Sequence, residues 1–406
     1  MDTIRHLYRI GYGPSSSHTM GPKNAAEMFL SKNQAANHFQ VTLYGSLAAT
    51  GKGHMTDKAI LDVLGWNRTT IIWQPDINLP YHPNGMEFTA YDQSGMVKDN
   101  WTVYSVGGGR IDDKGERIPP ETVSNTYPHK NMTEIQQYLS NTGMNYWEYV
   151  EECEGSDIWN YLREVWQAMS DAVDRGVRQE GVIPGGLGIN RKANLYFRRS
   201  QLTRDGFIHS TPMTAFALAV SEENATGGKI VTAPTCGSCG VLPAVLRYFQ
   251  KKMDITEENI LRALATAGVF GNVVKHNGSI SGAEAGCQAE IGVACAMAAS
   301  AASYFYSGTI RQIEYAAESG LEHHLGLTCD PVAGLVQVPC IERNAAAANA
   351  ALFSAQFVMF SDGSHRVSFD DVVSAMMKTG NDMPRLYRET SEGGLAKVFR
   401  MPGGVC

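Results

Sequence analysis

Glu284-Ala285-Gly286-Cys287-Gln288-Ala289-Glu290-Ile291-Gly292-Val293-Ala294-Cys295-Ala296-Met297-Ala298-Ala299-Ser300-Ala301-Ala302-Ser303 reads as one long helix built almost wholly of small residues. Its most apolar part, Ile291 to Phe305, is too short to span a bilayer and is made of Ala, Gly, Ser and Met rather than Leu and Ile. Small side chains let neighbouring backbones approach closely, so the run predicts a buried helix at the centre of a helical domain. Ala345-Ala346-Ala347-Ala348-Asn349-Ala350-Ala351 carries the same signal. Outward from these runs, helical patterns follow one another at Tyr146 to Arg178, Thr211 to Val220, Leu242 to Lys251, Glu257 to Gly268, Asn344 to Met359 and Phe369 to Thr379. Strand signals nearly vanish from this half.

The first third of the chain reads differently. Short β-type runs at Phe39 to Leu43, Thr69 to Trp73, Met86 to Tyr91 and Trp101 to Val106 alternate with helical patterns at Lys23 to Leu30 and Thr56 to Leu64. Residues 110 to 145 hold Asp112-Asp113-Lys114-Gly115-Glu116, Pro119-Pro120 and Asn141-Thr142-Gly143, text suited to a connection. The expected class is therefore α+β. An N-terminal α/β sandwich-like domain over residues 1–140 precedes an all-α domain over residues 145–406 that ends in a tail.

Composition narrows the function. With 406 residues, 43% hydrophobic, 18% charged and a formal charge of −7, the chain is neither basic enough to favour nucleic acid nor disordered in character. Eight cysteines are too sparse and irregular for a secreted disulfide framework, and Met1-Asp2-Thr3-Ile4-Arg5 begins no signal peptide, so a reducing cytoplasm is expected, with no membrane and no nucleic-acid partner. No repeat or heptad supports a scaffold role.

Three of the cysteines sit where packing is a poor explanation. Cys287 follows Ser281-Gly282-Ala283-Glu284-Ala285-Gly286, while Cys329 and Cys340 bracket Asp330-Pro331-Val332-Ala333-Gly334-Leu335-Val336-Gln337-Val338-Pro339, a segment rich in breakers. Cys406 is the last residue. A zinc site usually shows close C-x2-C pairs, whereas the separations here are 42 and 11 residues. Three thiolates suit a [4Fe-4S] cubane with one iron left open, and an open iron acts as a Lewis acid. Any one of these cysteines alone would read as a small buried hydrophobe.

Gly13-Pro14-Ser15-Ser16-Ser17-His18-Thr19-Met20-Gly21-Pro22 precedes a helical pattern and offers hydroxyls and backbone N–H groups to a carboxylate, with a titratable imidazole beside them. Ordinary caps and turns use the same residues. Gly51-Lys52-Gly53-His54 and Tyr81-His82-Pro83-Asn84-Gly85 place two more imidazoles on loops, and Gly107-Gly108-Gly109 follows a strand. The triple glycine fits neither a dinucleotide nor a P-loop pattern; it suits close approach of backbone to a ligand.

These motifs, with Asn224-Ala225-Thr226-Gly227-Gly228, Thr232-Ala233-Pro234-Thr235, Asn277-Gly278-Ser279-Ile280-Ser281-Gly282-Ala283-Glu284, Glu322-His323-His324-Leu325-Gly326-Leu327-Thr328-Cys329, Pro339-Cys340-Ile341-Glu342-Arg343-Asn344 and Glu389-Thr390-Ser391-Glu392-Gly393-Gly394-Leu395-Ala396, resemble the bacterial iron-sulfur L-serine dehydratases over nearly the whole chain. The resemblance implies an N-terminal substrate-binding β domain fused to a helical catalytic domain, L-serine as substrate, a [4Fe-4S] cofactor on Cys287, Cys329 and Cys340, and a homodimer. It further implies that Cys406 folds back onto the open iron when substrate is absent. The tail from Met401 to Cys406 reaches roughly 20 Å when extended. For the base that removes the α-proton His54 is favoured, with His18 and His82 as alternatives. Ser15, Ser16, Ser17 and Thr19 are assigned to the substrate carboxylate, with Lys275 or Asn277 contributing from the helical domain.

Two features depart from the family pattern: Cys236-Gly237-Ser238-Cys239, read as two free thiols near the site, and Arg110, where an aromatic residue is expected. Cys153 and Cys295 lie within helical patterns. Rival readings are a pyridoxal-phosphate dehydratase using Lys52 or Lys275 with Gly107 to Gly109, a non-catalytic iron-sulfur sensor or electron carrier, and a related lyase acting on threonine or cysteine.

Overall fold

The computed structural model describes residues 1–118, 125–202 and 211–399. Pro119-Pro120 and Cys406 lie outside them. The first part contains β1 (Ile10–Tyr12), α1 (Gly21–Lys32), β2 (His38–Tyr44), α2 (Gly45–Thr50), α3 (Thr56–Leu64), β3 (Thr69–Gln74), β4 (Gly85–Tyr91), β5 (Val97–Ser105) and β6 (Ile111–Asp112). Strands β2 to β6 form one sheet in the order β3-β2-β4-β5-β6, parallel between β2 and β3 and antiparallel elsewhere. Alternation at period two puts Phe39, Val41 and Leu43 of β2, Met86 and Phe88 of β4, and Trp101 and Val103 of β5 into one core with Ala25, Ala26 and Phe29 of α1 and Ile60 and Leu64 of α3.

The helical part contains α4 (Met132–Thr142), α5 (Tyr146–Glu154), α6 (Ile158–Gly176), α7 (Ala193–Leu202), α8 (Thr211–Ala225), β7 (Lys229–Val231), α9 (Val241–Met253), α10 (Glu257–Asn277), α11 (Gly282–Ala285), α12 (Ile291–Phe305), α13 (Ile310–Glu322), α14 (Cys340–Met359), α15 (Phe369–Asp382) and α16 (Gly394–Val398). The expected α+β class holds. Helix α12 is buried along almost its whole length and packs against α9, α10, α13 and α14, as its small residues require.

The run from Glu284 to Ser303, expected as a single helix, is broken. Gly286 takes a left-handed φ of +72°, and a short turn over Cys287–Ala289 separates α11 from α12. The break places Cys287 in a turn between two helices. Likewise Tyr146 to Arg178 divides into α5 and α6 around Gly155. Helices α4, α7 and α13 stand where the sequence reading has connection or no element.

The chain's first residues belong with the helices. Met1, Ile4, Leu7 and Tyr8 are buried in the core that contains α12, and β1 pairs antiparallel with β7. The sheet is therefore built by the stretch of chain that follows this N-terminal strap and precedes the helices of the body.

Candidate active site

The site is assembled where three segments of the sheet part meet the cysteine loops of the helical part. Ser15, in extended backbone, caps a wide turn over Ser16–Met20 that runs into α1: its Oγ accepts from the His18 N–H (3.0 Å) and its own N–H donates to Thr19 Oγ1 (3.1 Å). The Thr19 hydroxyl donates to the His54 carbonyl (2.6 Å), tying this turn to the loop between α2 and α3. Ser17 Oγ lies 2.8 Å from His18 Nδ1 and 3.3 Å from Ser15 Oγ. Ser15, Ser17 and Thr19 thus shape the turn and hold the imidazole, while Ser16 Oγ makes no side-chain hydrogen bond among the described residues.

His18 is wholly buried, and its Nε2 lies 3.0 Å from Ser46 Oγ. The Ser46 proton goes to the Glu389 carbonyl (2.8 Å), so Ser46 accepts from His18, which assigns the proton of His18 to Nε2. The same reasoning fixes His54. Its Nδ1 is 2.9 Å from Thr50 Oγ1, and the Thr50 proton goes to the Ser46 carbonyl (3.1 Å), so Nδ1 carries the hydrogen and Nε2 keeps its lone pair. The two rings lie 4.5 Å apart. Burial holds His54 down to about 4, and burial together with the neighbouring His54 holds His18 well below the ordinary imidazole value.

Glu389 completes the cluster. Its Oε1 is 3.4 Å from His18 Nδ1, and one ligand atom each of His18, His54 and Glu389 lie within 4.8 Å of one another. Its N–H donates to the Cys329 carbonyl (2.8 Å), so a residue beside the histidines is pinned to a cysteine loop. Burial, then the charges of Glu290 and Cys287, push its carboxyl well above the usual range.

The thiols come from three elements. Cys287 sits in the turn after Gly286, Cys329 in the loop after α13, and Cys340 at the start of α14. Cys329 Sγ is 3.9 Å from Glu290 Oε2, and a Cβ on Gly282 would stand 3.3 Å from that sulfur, so glycine keeps the space open. The hydrogen bond from Cys329 lowers the Cys287 thiol, with Arg343 adding to the effect, whereas Cys329 and Cys340 are pushed up. Arg343, one turn into α14, donates to the Thr328 carbonyl (2.6 Å) and pairs with Asp330 (3.5 Å). Three free thiols from separate elements, with Cys287 and Cys329 in hydrogen-bond contact, suit an inorganic group bound by cysteines.

The other expected site residues lie outside this group. His82 is buried with Nδ1 accepting from the Asn84 N–H (3.1 Å) and Nε2 3.5 Å from Glu284. It stands between two clefts, one of about 320 Å³ lined by Ser46, Ala283, Arg388 and Thr390, the other of about 340 Å³ lined by Arg9, Gly107, Arg110 and Lys275. Lys275 lines the second cleft with His82 and is held by Asp2 (2.8 Å), and Asn277 is exposed and donates to the Lys130 carbonyl (2.7 Å); neither belongs to the His18, His54 and Glu389 cluster. Lys52 is exposed over the Trp73 ring, so neither lysine weighed for a Schiff base stands in the site. Cys236 and Cys239 are buried and unbonded to each other, with Cys236 Sγ 3.5 Å from Met20 Sδ.

Sequence reasoning missed Ser46, Thr50, Glu290, Arg343 and Glu389 as site residues. Glu290 and Arg343 each follow a cysteine by three residues, and Glu389 opens a motif used for the family resemblance, which is where a signal lay.

Comparison with known proteins gives the family. Residues 86–396 match the serine dehydratase alpha chain and residues 3–67 the serine dehydratase beta chain. The L-serine dehydratase of Streptomyces coelicolor is 41% identical over 97% of this chain and 98% of its own length. L-serine dehydratase 1 of Escherichia coli is 40% identical over 98% of this chain and 99% of its own. That of Helicobacter pylori is 34% identical over the same shares. With both matches in one polypeptide and relatives aligned end to end, this chain belongs to the serine dehydratase family, its beta-type and alpha-type parts fused.

Proposed function

We propose that the chain converts L-serine to pyruvate and ammonia, with Cys287, Cys329 and Cys340 holding a [4Fe-4S] cluster. The observation that carries this reading is the meeting of a neutral, buried imidazole pair with Glu389, whose N–H bonds the Cys329 carbonyl across the contact between the two parts of the chain. When bound, the cluster supplies a Lewis-acid iron that stabilises the departing β-hydroxyl.

The protein's own groups do the rest. His54 Nε2, with its lone pair free and its partner nitrogen fixed by Thr50, takes the α-proton. Thr50 and the Thr19 hydroxyl, which bonds the His54 carbonyl, hold that ring and its loop in place. The turn from Ser15 to Thr19 receives the substrate carboxylate, with the Ser16 hydroxyl and turn N–H groups as donors. Low exposure at His18, His54 and Glu389 excludes water and keeps the base unprotonated. The released enamine tautomerises and hydrolyses without further help from the chain.

Cys406 is assigned as a fourth thiolate in the substrate-free protein, and a homodimer in a reducing cytoplasm fits the reading. Among the described residues no helix is long and apolar enough to cross a membrane. The test is a visible spectrum of anaerobically purified protein before and after L-serine, with pyruvate followed in the same sample. A broad charge-transfer band that changes with serine as pyruvate appears supports the reading. A cluster spectrum indifferent to serine, without pyruvate, overturns it.

A further inference from the structure

We propose that Glu389 binds the α-ammonium group of the substrate and so selects an amino acid over the same molecule without nitrogen. The inference rests on the serine reading above. A serine zwitterion carries a carboxylate, a hydroxyl and an ammonium into a buried site, and the first two have partners in that reading. The ammonium needs a counter-anion, because an unpaired buried charge is strongly disfavoured, and its own charge offsets the burial and the Glu290 and Cys287 charges that otherwise hold the Glu389 carboxyl raised.

Four carboxylates stand near the cysteines and clefts, and Asp330 is taken up by Arg343, the Thr328 hydroxyl and the Leu395 N–H. Glu290 Oε1 already accepts from the Thr235 hydroxyl (2.7 Å), and its Oε2 faces the Cys329 thiol at 3.9 Å. Glu284 accepts from the Ser279 hydroxyl and lies 3.5 Å from His82. Glu389 is different: it is only 5% exposed, yet its Oε2 makes no hydrogen bond. A buried acceptor without a donor marks a place where a donor belongs.

The residue is also held as a receptor should be. Its N–H bonds the Cys329 carbonyl, its own carbonyl accepts from Ser46, and these contacts keep it at φ +58°, a conformation unfavourable for a side chain with a Cβ. The Glu389 carboxylate and a His54 ring nitrogen lie within 4.8 Å. An ammonium on Glu389 therefore brings the carbon that bears it, and the proton to be removed, beside His54.

The experiment compares L-serine with 3-hydroxypropionate, which keeps the carboxylate and hydroxyl but lacks nitrogen. Wild-type protein must first form pyruvate from L-serine; if it does not, the serine reading itself fails, independently of Glu389. Given turnover, Glu389→Gln is expected to lower kcat/KM for L-serine about a hundredfold, mostly through KM, while the inhibition constant of 3-hydroxypropionate moves less than about threefold. A parallel loss for both molecules, or an unchanged kcat/KM, overturns the assignment. If the variant does not fold, the wild type decides through L-alanine and propionate, competitive inhibitors differing only in the amino group. Preference for alanine by about tenfold or more is expected, and equal binding overturns the proposal.

Discussion

His54 shows how much chemistry depends on a single side chain's surroundings. Its ordinary value of 6.5 falls to about 4 through burial, so the folded protein binds this proton less readily than the unfolded chain. Stability linked to His54 is thus fully present above pH 6.5 and is lost as pH falls towards 4, by roughly 3 kcal/mol in all. The same depression sets activity. The acid limb of kcat/KM, which reports the free enzyme, is expected near pH 4 to 5 rather than 6.5, as far down as the protein stays folded. A limb at 6.5 would assign the base elsewhere. His54→Ala is expected to reduce turnover on the order of a thousandfold while the visible spectrum is retained, and near-normal activity would remove His54 from the reaction. The sequence made His54 legible through its flanking glycines. It did not make Thr50 or Ser46 legible, because the hydrogen bonds that choose the reactive nitrogen join side chains brought together by helix α2 and by a turn far away in the chain.

At the scale of elements, the site depends on two loops that touch through backbone. A Cβ on Gly53 would lie 2.4 Å from the Gly334 carbonyl oxygen and 2.9 Å from that of Ala333, so the loop carrying His54 and the loop between Cys329 and Cys340 meet only because residue 53 is glycine. Gly53→Ala is expected to push them apart, costing about 1–3 kcal/mol of stability and more than about a hundredfold in kcat/KM with the helical circular dichroism unchanged. Retained activity would show that the contact is not needed. The helix through Ala294 to Ala302 was legible because smallness on every face admits little except burial. Helix α13 was not, because Glu314 and Glu318 lie on its inward side and blur the apolar stripe. Glu314 is satisfied by the Phe369 N–H (2.8 Å) and His365 (2.9 Å). Glu318 is raised to about 7 by burial and then by Glu322, so its contribution to stability is present below pH 4.5 and lost as pH rises through 7. Glu318→Gln should therefore raise Tm at pH 8 and leave it unchanged near pH 4. Strands β1 and β7, three residues each, are too short to show a period, and Gly286 breaks a pattern whose composition is helical throughout.

For the whole molecule, the order of the chain and the order of the cores differ. Ile4, Leu7 and Tyr8 precede the sheet in sequence but pack among the helices: Ile4 lies against Gly268, Leu7 against Gly271, and the Tyr8 hydroxyl donates to the Leu264 carbonyl (2.9 Å). The N-terminal amino group reaches the Tyr127 carbonyl (2.5 Å), so the chain leaves the helical body, builds the sheet and returns close to where it began. Both ends of the sheet part are anchored in the helical core. Further ties cross at the site, where Asn224 Nδ2 donates to the Pro14 carbonyl (2.7 Å) and Arg385 to the Pro75 carbonyl (3.0 Å). Such an arrangement couples two cores that share little apolar contact. Leu7→Ala, which empties a fully buried position of the helical core, is expected to cost about 2–5 kcal/mol. Because the strap also anchors the sheet, amide exchange in β2 and β4 should accelerate by a similar free energy, although Leu7 is absent from the sheet core. Hydrogen exchange read beside the far-ultraviolet melting curve decides the matter: sheet amides that keep their wild-type protection while the helices soften would mean that the two cores unfold independently and that the site is held by the loop contacts alone.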